Sequence, residues 1–348
     1  MTPDRLAAIS SPYARLTIAI VGDFCLDRYL EIDPALQETS IETGLPVHNV
    51  IRLRAQPGGA GTILNNLAAL GVGRILPVSF CGDDGEGYEL RKALAERPGV
   101  VLDHFVIDPD RRTFTYCKPL IVEPGRPPVE LNRLDSKNWT PTPQVLESRL
   151  IDGLRQAAAA SDALIVLDQV DRPETGVVTR RLLEVVAELA DARPQLPVLA
   201  DSRRGLRGWP RLSFKMNAAE LAAFRGEPLA TIEQAARAAV ELADRNQRPI
   251  FITLAEQGIV AAAPGGLAAY VPALPVQGPI DVVGAGDAVS ANLAAALAAG
   301  ASISEAIELA AIASSIVIHQ LGTTGTASIA QIAGALDRLQ PATSIIAK

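Results

Sequence analysis

The heptapeptide Asp281-Val282-Val283-Gly284-Ala285-Gly286-Asp287 runs straight into an apolar, helix-like stretch from Ala288 to Ala299. Its glycines let the backbone turn N–H groups toward one point, and a helix start adds unpaired donors and partial positive charge. The product is an anion hole. A carboxylate inside it can take the proton of a hydroxyl while the amides of Gly284, Ala285 and Gly286 stabilise charge on a transferring phosphoryl group. Asp287 is that carboxylate. Alone, the peptide fits better a plain Asp cap after a glycine turn.

The elements that must position this loop are legible as alternating strands and helices. A β-branched run, Thr17 to Val21, ends at Gly22-Asp23, and comparable runs recur at Arg74 to Phe80, Ala163 to Leu167, Pro197 to Ala200 and Ile250 to Leu254. Between them the spacing predicts helices over 62–70, 85–95, 143–160, 179–192, 218–224, 232–246, 288–299 and 303–320. Such alternation predicts a mostly parallel sheet covered on both faces, with ligands at the carboxyl ends of the strands. Residues 29–56 and 111–135 break the rhythm: rich in Val, Ile, Thr, Pro and charges, they suggest short strands outside the main sheet, a flap or lid. The last eight or so residues read as loosely held.

Composition narrows the partners. Of 348 residues 48% are hydrophobic and only 4% aromatic, which suits one large α/β domain spanning 1–348. The formal charge of −7 argues against nucleic acid or an anionic membrane surface, because both need clustered Lys and Arg. Cys25, Cys81 and Cys117, with His48, His104 and His319, show no metal-ligand spacing. No signal peptide is recognisable in Met-Thr-Pro-Asp-Arg, and Ala288 to Ser304 reads as a buried helix. A reduced cytoplasmic setting is expected.

Taken with the rest of the chain, Gly-Ala-Gly-Asp near the C-terminus resembles the signature of the ribokinase-type (PfkB) carbohydrate kinases. The resemblance runs over roughly residues 17–335. Gly22-Asp23-Phe24-Cys25-Leu26-Asp27-Arg28-Tyr29 is similar to the family's first strand and turn, in particular to its heptose-7-phosphate kinase branch, as are Ser40-Ile41-Glu42, Pro46-Val47 and Leu321-Gly322-Thr323. Pro57-Gly58-Gly59-Ala60 with Asn66 resembles the first family signature, and Gly82-Asp83-Asp84-Gly85 continues it. Thr115 with Lys118, Arg133 with Asp135, Asp168 and Asp201 fall in the family's order. Asn217-Ala218-Ala219-Glu220 resembles its Asn-x-x-Glu element, and Thr253 to Gly258 its nucleotide loop.

The resemblance implies a ribokinase-like three-layer αβα fold with a small β-sheet lid, and transfer of the γ-phosphoryl of ATP to a sugar or sugar-phosphate hydroxyl. Asp287 would be the base. Asp27, Gly58, Gly59, Asn66 and Asp168 would bind the acceptor, with Lys118 and Arg133 as partners for an acceptor phosphate. Thr253, Gly258, Asp281, Gly284 and Gly286 would contact the nucleotide, and Asn217 and Glu220 would organise Mg²⁺; a monovalent cation is a further candidate ligand. Lids of this family often pair between subunits, so a homodimer is expected. Bifunctional members carry a nucleotidylyltransferase domain after the kinase, and a chain ending at Lys348 is expected to perform the kinase step alone.

Departures from the pattern bear on specificity. Thr62 stands where Asn is usual, Ala255 where the nucleotide loop has Gly, and Ala311 where Asn is common beside adenine, while Gln169-Val170-Asp171 differs from the heptose kinases' continuation of that strand. Two other readings compete: a non-catalytic ribokinase-like binding protein, and a Rossmann oxidoreductase. The second fits poorly, because Gly22-Asp23 is not Gly-x-Gly-x-x-Gly.

Overall fold

The computed structural model describes residues 1–266 and 268–336 and the backbone of 344–346. At its centre Thr17–Gly22, buried at every position, pairs in parallel with Arg74–Gly82 on one side and Ala163–Asp168 on the other. Beyond Ala163–Asp168 the sheet continues in parallel through Val198–Ser202, Ser213–Asn217 and Ile250–Thr253. It then turns antiparallel through Ile259–Ala262, Ala268–Val271 and Ser344–Ile346, while Phe105–Asp108 closes the opposite edge. Strand order therefore reverses at Thr17–Gly22, which opens a crevice at the carboxyl ends on either side. Of the C-terminal residues expected to be loosely held, 344–346 lie in the edge strand; 341–343, 347 and 348 lie outside the described residues.

Helices cover both faces, as a buried apolar sheet requires. One layer, with Ala60–Ala69, Gly85–Ala95, Ala285–Ala298 and Ile303–Ile318, packs Ile63, Leu67, Leu90, Leu293 and Ile312 onto Ile18 and Ile20. The other, with Gln144–Ala159, Arg180–Ala192 and Ile232–Asn246, packs Leu150, Leu154, Val186 and Leu242 onto Ala19, Val21 and Val166. This is the three-layer α/β arrangement expected. Among the described residues no helix is long and apolar enough to cross a membrane, and the three cysteines are unpaired.

A second sheet springs directly from the first. After Asp23 alone, the chain re-enters β structure at Phe24–Ile32, flanked by antiparallel Val50–Gly59 and parallel Thr115–Ile121; Leu134–Ser136 and Val129–Glu130 complete it. The strands fall within 24–59 and 115–136 against the irregular stretches 29–56 and 111–135; the first begins earlier than expected because Asp23, Asp27 and Arg28 disguise it as a turn. Register puts Gln56, Asp27, Tyr116 and Asp135 in one cross-strand row, and Arg54, Tyr29 and Lys118 in the next row on the same face.

Candidate active site

The glycine loop lies at the switch-point end of the sheet. Gly284 adopts φ 85° as the left-handed cap of helix Ala285–Ala298, so Asp287 sits inside the first helical turn and is not the cap. The helix starts three residues earlier than the apolar run suggests, because Gly286 and Asp287 tolerate helical geometry once Gly284 has made the turn. The Ala285 N–H already donates to Val282 O at 3.2 Å, while Asp281 accepts the Val283 N–H at 3.0 Å. Among the described residues the amides left open at the helix start are those of Gly284, Gly286 and Asp287, so Ala285 is replaced by Asp287 in the expected donor set.

The Asp287 carboxyl has no hydrogen bond or ion pair among the described residues, and its pKa is pushed up to about 7. Burial is the main cause; Lys215 opposes it, and Asp201 and Asp27 reinforce it. Lys215 was not singled out in the sequence. It is buried, bonded to Asp201 at 2.7 Å, and its Nζ would lie 3.0 Å from a Cβ on Gly286. That close approach places a cation beneath the helix start. The available signal was one Lys in the otherwise apolar run Ser213-Phe214-Lys215-Met216. Ser290 lies 3.4 Å from the same Asp201 oxygen.

On the acceptor side, a Cβ on Gly58 would lie 2.5 Å from Asp27 Oδ2, and one on Gly59 (φ 57°) 2.6 Å from the Asp23 carbonyl. Both positions demand glycine, and the Asp27 carboxylate lies directly over the first. Burial raises the Asp27 pKa, with Lys118 at 3.6 Å pulling it back. Lys118 and Arg54 flank the Tyr29 ring, 4.9 and 4.8 Å from its centroid, and Arg133 is held by both oxygens of Asp135 over Tyr116.

Two expected acceptor residues point elsewhere. Asn66 is wholly buried, and its amide nitrogen donates to Thr62 O and Gly325 O, which fixes backbone, while its Oδ1 has no partner among the described residues. Asp168 is also wholly buried: one oxygen takes Ser202 and Arg204 at 2.8 and 2.7 Å, the other has no partner, and burial with nearby Asp23 pushes its pKa up to about 7. Strand alternation turns Asp168 toward the 202–204 turn, while the next residue, Gln169, comes within 3.5 Å of the Gly59 Cβ position. Asp23 fastens this loop by accepting the N–H groups of Gln169 and Val177.

On the third side, Asn217 and Glu220 cap helix Ala218–Arg225 reciprocally: Asn217 Oδ1 accepts the Glu220 N–H, and Glu220 Oε2 accepts the Asn217 N–H. The other carboxylate oxygen of Glu220 has no partner among the described residues. Thr253 is the register partner of Asn217. A Cβ on Gly258 (φ 108°) would lie 2.0 Å from Val271 O, so only glycine fits there, whereas Ala255 is held at φ 50°. Ala311 is buried in helix Ile303–Ile318. Thr323 and Thr324 bond to Gln56 of the second sheet.

Comparison with known proteins agrees with this fold. The chain is 33% identical over 325 residues to the bifunctional protein HldE of Azorhizobium caulinodans, covering 92% of this chain and 64% of that protein. It is 32% identical over 342 residues to the HldE protein of Hyphomonas neptunium, covering 97% and 67%. It thus spans roughly two thirds or less of the length of these relatives. Among solved structures it superposes on Arabidopsis thaliana ribokinase complexed with ribose and ATP (TM-score 0.67, 19% identity, 92% of this chain and 98% of that one). It also superposes on Escherichia coli phosphofructokinase-2 in complex with fructose-6-phosphate (TM-score 0.67, 18% identity, 93% and 99%). At these identities the superpositions speak for a shared ribokinase-like fold. A family model, pfkB family carbohydrate kinase, matches residues 23–330, and the chain belongs to that family.

Proposed function

We propose that this chain transfers the γ-phosphoryl group of ATP to a hydroxyl of a sugar phosphate, with a heptose-7-phosphate-like acceptor as the leading candidate. The observation that carries the reading is the Asp287 carboxyl, unpaired and with its pKa near neutrality, in a helix start with three open amides. A base whose pKa lies near the working pH accepts a proton most effectively.

In this reading the acceptor lies over Gly58 and Gly59 with a hydroxyl on Asp27. Asp287 takes the proton of the attacking hydroxyl as its oxygen bonds to the γ-phosphorus and the bond to the β-phosphate oxygen breaks, releasing ADP. The N–H groups of Gly284, Gly286 and Asp287 receive the charge on the transferring group, and Lys215 adds positive potential below it. Thr253, Gly258, Asp281 and the Thr323 segment would hold the nucleotide. The open oxygen of Glu220, beside Asn217, suits Mg²⁺, which is commonly held by one or two carboxylates together with phosphates and water. When bound, the ion would neutralise phosphate charge.

Arg54 and Lys118 lie one register step beyond Asp27, a rise of about 6–7 Å, with Arg133 over Tyr116 in the Asp27 row, which suits an acceptor carrying a phosphate away from its reacting hydroxyl. The relatives named HldE and the phosphofructokinase complexed with fructose-6-phosphate support that class. The test is an ADP-release panel of hexoses, pentoses, nucleosides, hexose phosphates and heptose phosphates, with Lys118→Ala and Arg133→Ala alongside. Phosphorylated acceptors should be preferred, with KM raised in both variants; preference for a neutral sugar would remove these cations from the role. The outer face of the second sheet exposes Leu53, Val129 and Leu134, which favours pairing of two lids in a homodimer.

A further inference from the structure

Gln56 is the register partner of Asp27 in the second sheet, so the two side chains leave the same face. Its carboxamide is used at both ends: Oε1 accepts from the Thr323 hydroxyl and Nε2 donates to the Thr324 hydroxyl, each at 3.0 Å. Thr324 is buried, with its Cβ 3.2 Å from where a Cβ on Gly284 would lie. Gly284 is the left-handed cap that aims Asp287.

The same segment is pinned from behind by the main body. Gln320 donates to Thr326 O at 2.7 Å and accepts its N–H at 3.1 Å, and Asn66 donates to Gly325 O at 3.4 Å. Thr323 and Thr324 thus have a fixed back and a single partner residue from the other sheet. Among the described residues, the two bonds of Gln56 are the side-chain hydrogen bonds that join the second sheet to residues 320–326.

We propose that Gln56 is a positioning residue that clamps the acceptor strand to Thr323 and Thr324, holding Asp27 and the Gly284–Asp287 turn in one register. The role rests on the reading of Asp27 as acceptor group and Asp287 as base. Two hydrogen bonds are modest in themselves, but the geometry they set is not: misplacing reacting groups by about 1 Å can cost about 100-fold in rate. Loosening this clamp also opens a route for water to the γ-phosphoryl group.

The test compares Gln56→Ala, Thr324→Val and the double variant in kcat, in KM for ATP and acceptor, and in ADP formed per phosphorylated sugar. It adds hydrogen exchange of residues 50–59 with and without a non-hydrolysable ATP analogue and Mg²⁺. Gln56→Ala should lower kcat about tenfold or more and raise ADP per product above one. The double variant should be no worse than Gln56→Ala, since the contact that Thr324→Val removes is one of the two that Gln56→Ala already removes. The analogue should slow exchange of 50–59 in the unaltered protein but not in Gln56→Ala. Multiplicative losses in the double variant, unchanged kcat in Gln56→Ala, or equal protection in both proteins would overturn the proposal. The exchange arm needs no acceptor, so failure of the unaltered protein to phosphorylate any sugar would count against the kinase reading while protection still decides the clamp.

Discussion

Replacing Asp287 by asparagine keeps the shape of the side chain and removes its charge, so stability should respond in a pH-dependent way. The folded protein holds this carboxyl at about 7 against 3.8 for a free aspartate. Between those values the folded state binds more protons at this site than the unfolded state, so its contribution to stability falls as pH rises from 4 to 7. The shift sets a ceiling of about 4 kcal/mol. Asp287 is partly open to the crevice and coupled to Lys215 and Asp201, which reduces the expectation to roughly 1–3 kcal/mol. At pH 8, Asp287→Asn should therefore be the more stable protein, by roughly 1–4 °C in melting temperature for a chain of this size. At pH 4.5 the difference should shrink to a small fraction, because the aspartate is then neutral in the folded protein and the unfolded one has begun to protonate. Thermal unfolding at both pH values reads this directly. A variant less stable at pH 8, or a difference independent of pH, would refute the argument that burial dominates the charge at this site.

Lys215→Met should leave Asp201 buried without its cation, lowering stability by about 3–5 kcal/mol in denaturant unfolding. In any folded fraction it should also move the pH–activity midpoint upward, since Lys215 holds the Asp287 pKa down. Gly59→Ala forces a Cβ to 2.6 Å from the Asp23 carbonyl and should cost roughly 2 kcal/mol or more of stability while raising the acceptor KM. Ala255→Gly relieves a left-handed alanine at φ 50° and, after the added freedom of the unfolded chain, should gain about 0.5 kcal/mol in a melting experiment.

Much of the fold could be read because its local signals agree with its tertiary arrangement. The β-branched runs at Thr17, Ala163 and Ile250 are central strands, and Gly85–Ala95 and Ile232–Asn246 have the bounds their periodicity predicts. Ser213–Asn217 escaped notice because Lys215 breaks its apolar run, and only the distant Asp201 makes a buried lysine acceptable there. Phe24–Ile32 was hidden in the same way: Asp27 and Arg28 are turn-like in isolation, while in the fold they face Lys118 and the pair Glu86 and Glu89. Chemistry-bearing residues at strand ends violate strand patterning because they serve the crevice.

The candidate site was legible where backbone demands a particular residue. Gly58, Gly59, Gly258 and Gly284 each occupy a place where a side chain would collide or the backbone is left-handed. Side-chain direction was not legible. Asn66 and Asp168 lie at the right positions along the chain, yet both turn into the protein, and Gln169 takes the place beside Gly59. Gln56 gave no signal at all, because its partners Thr323 and Thr324 are more than 260 residues away.

The most direct test of the central claim follows ³²P from γ-labelled ATP into the best acceptor of the panel, in the unaltered protein and in Asp287→Asn, with nucleotide affinity measured alongside. If Asp287 is the base, transfer should fall by about 100-fold or more while nucleotide binding persists. Near-normal transfer by Asp287→Asn would contradict the account.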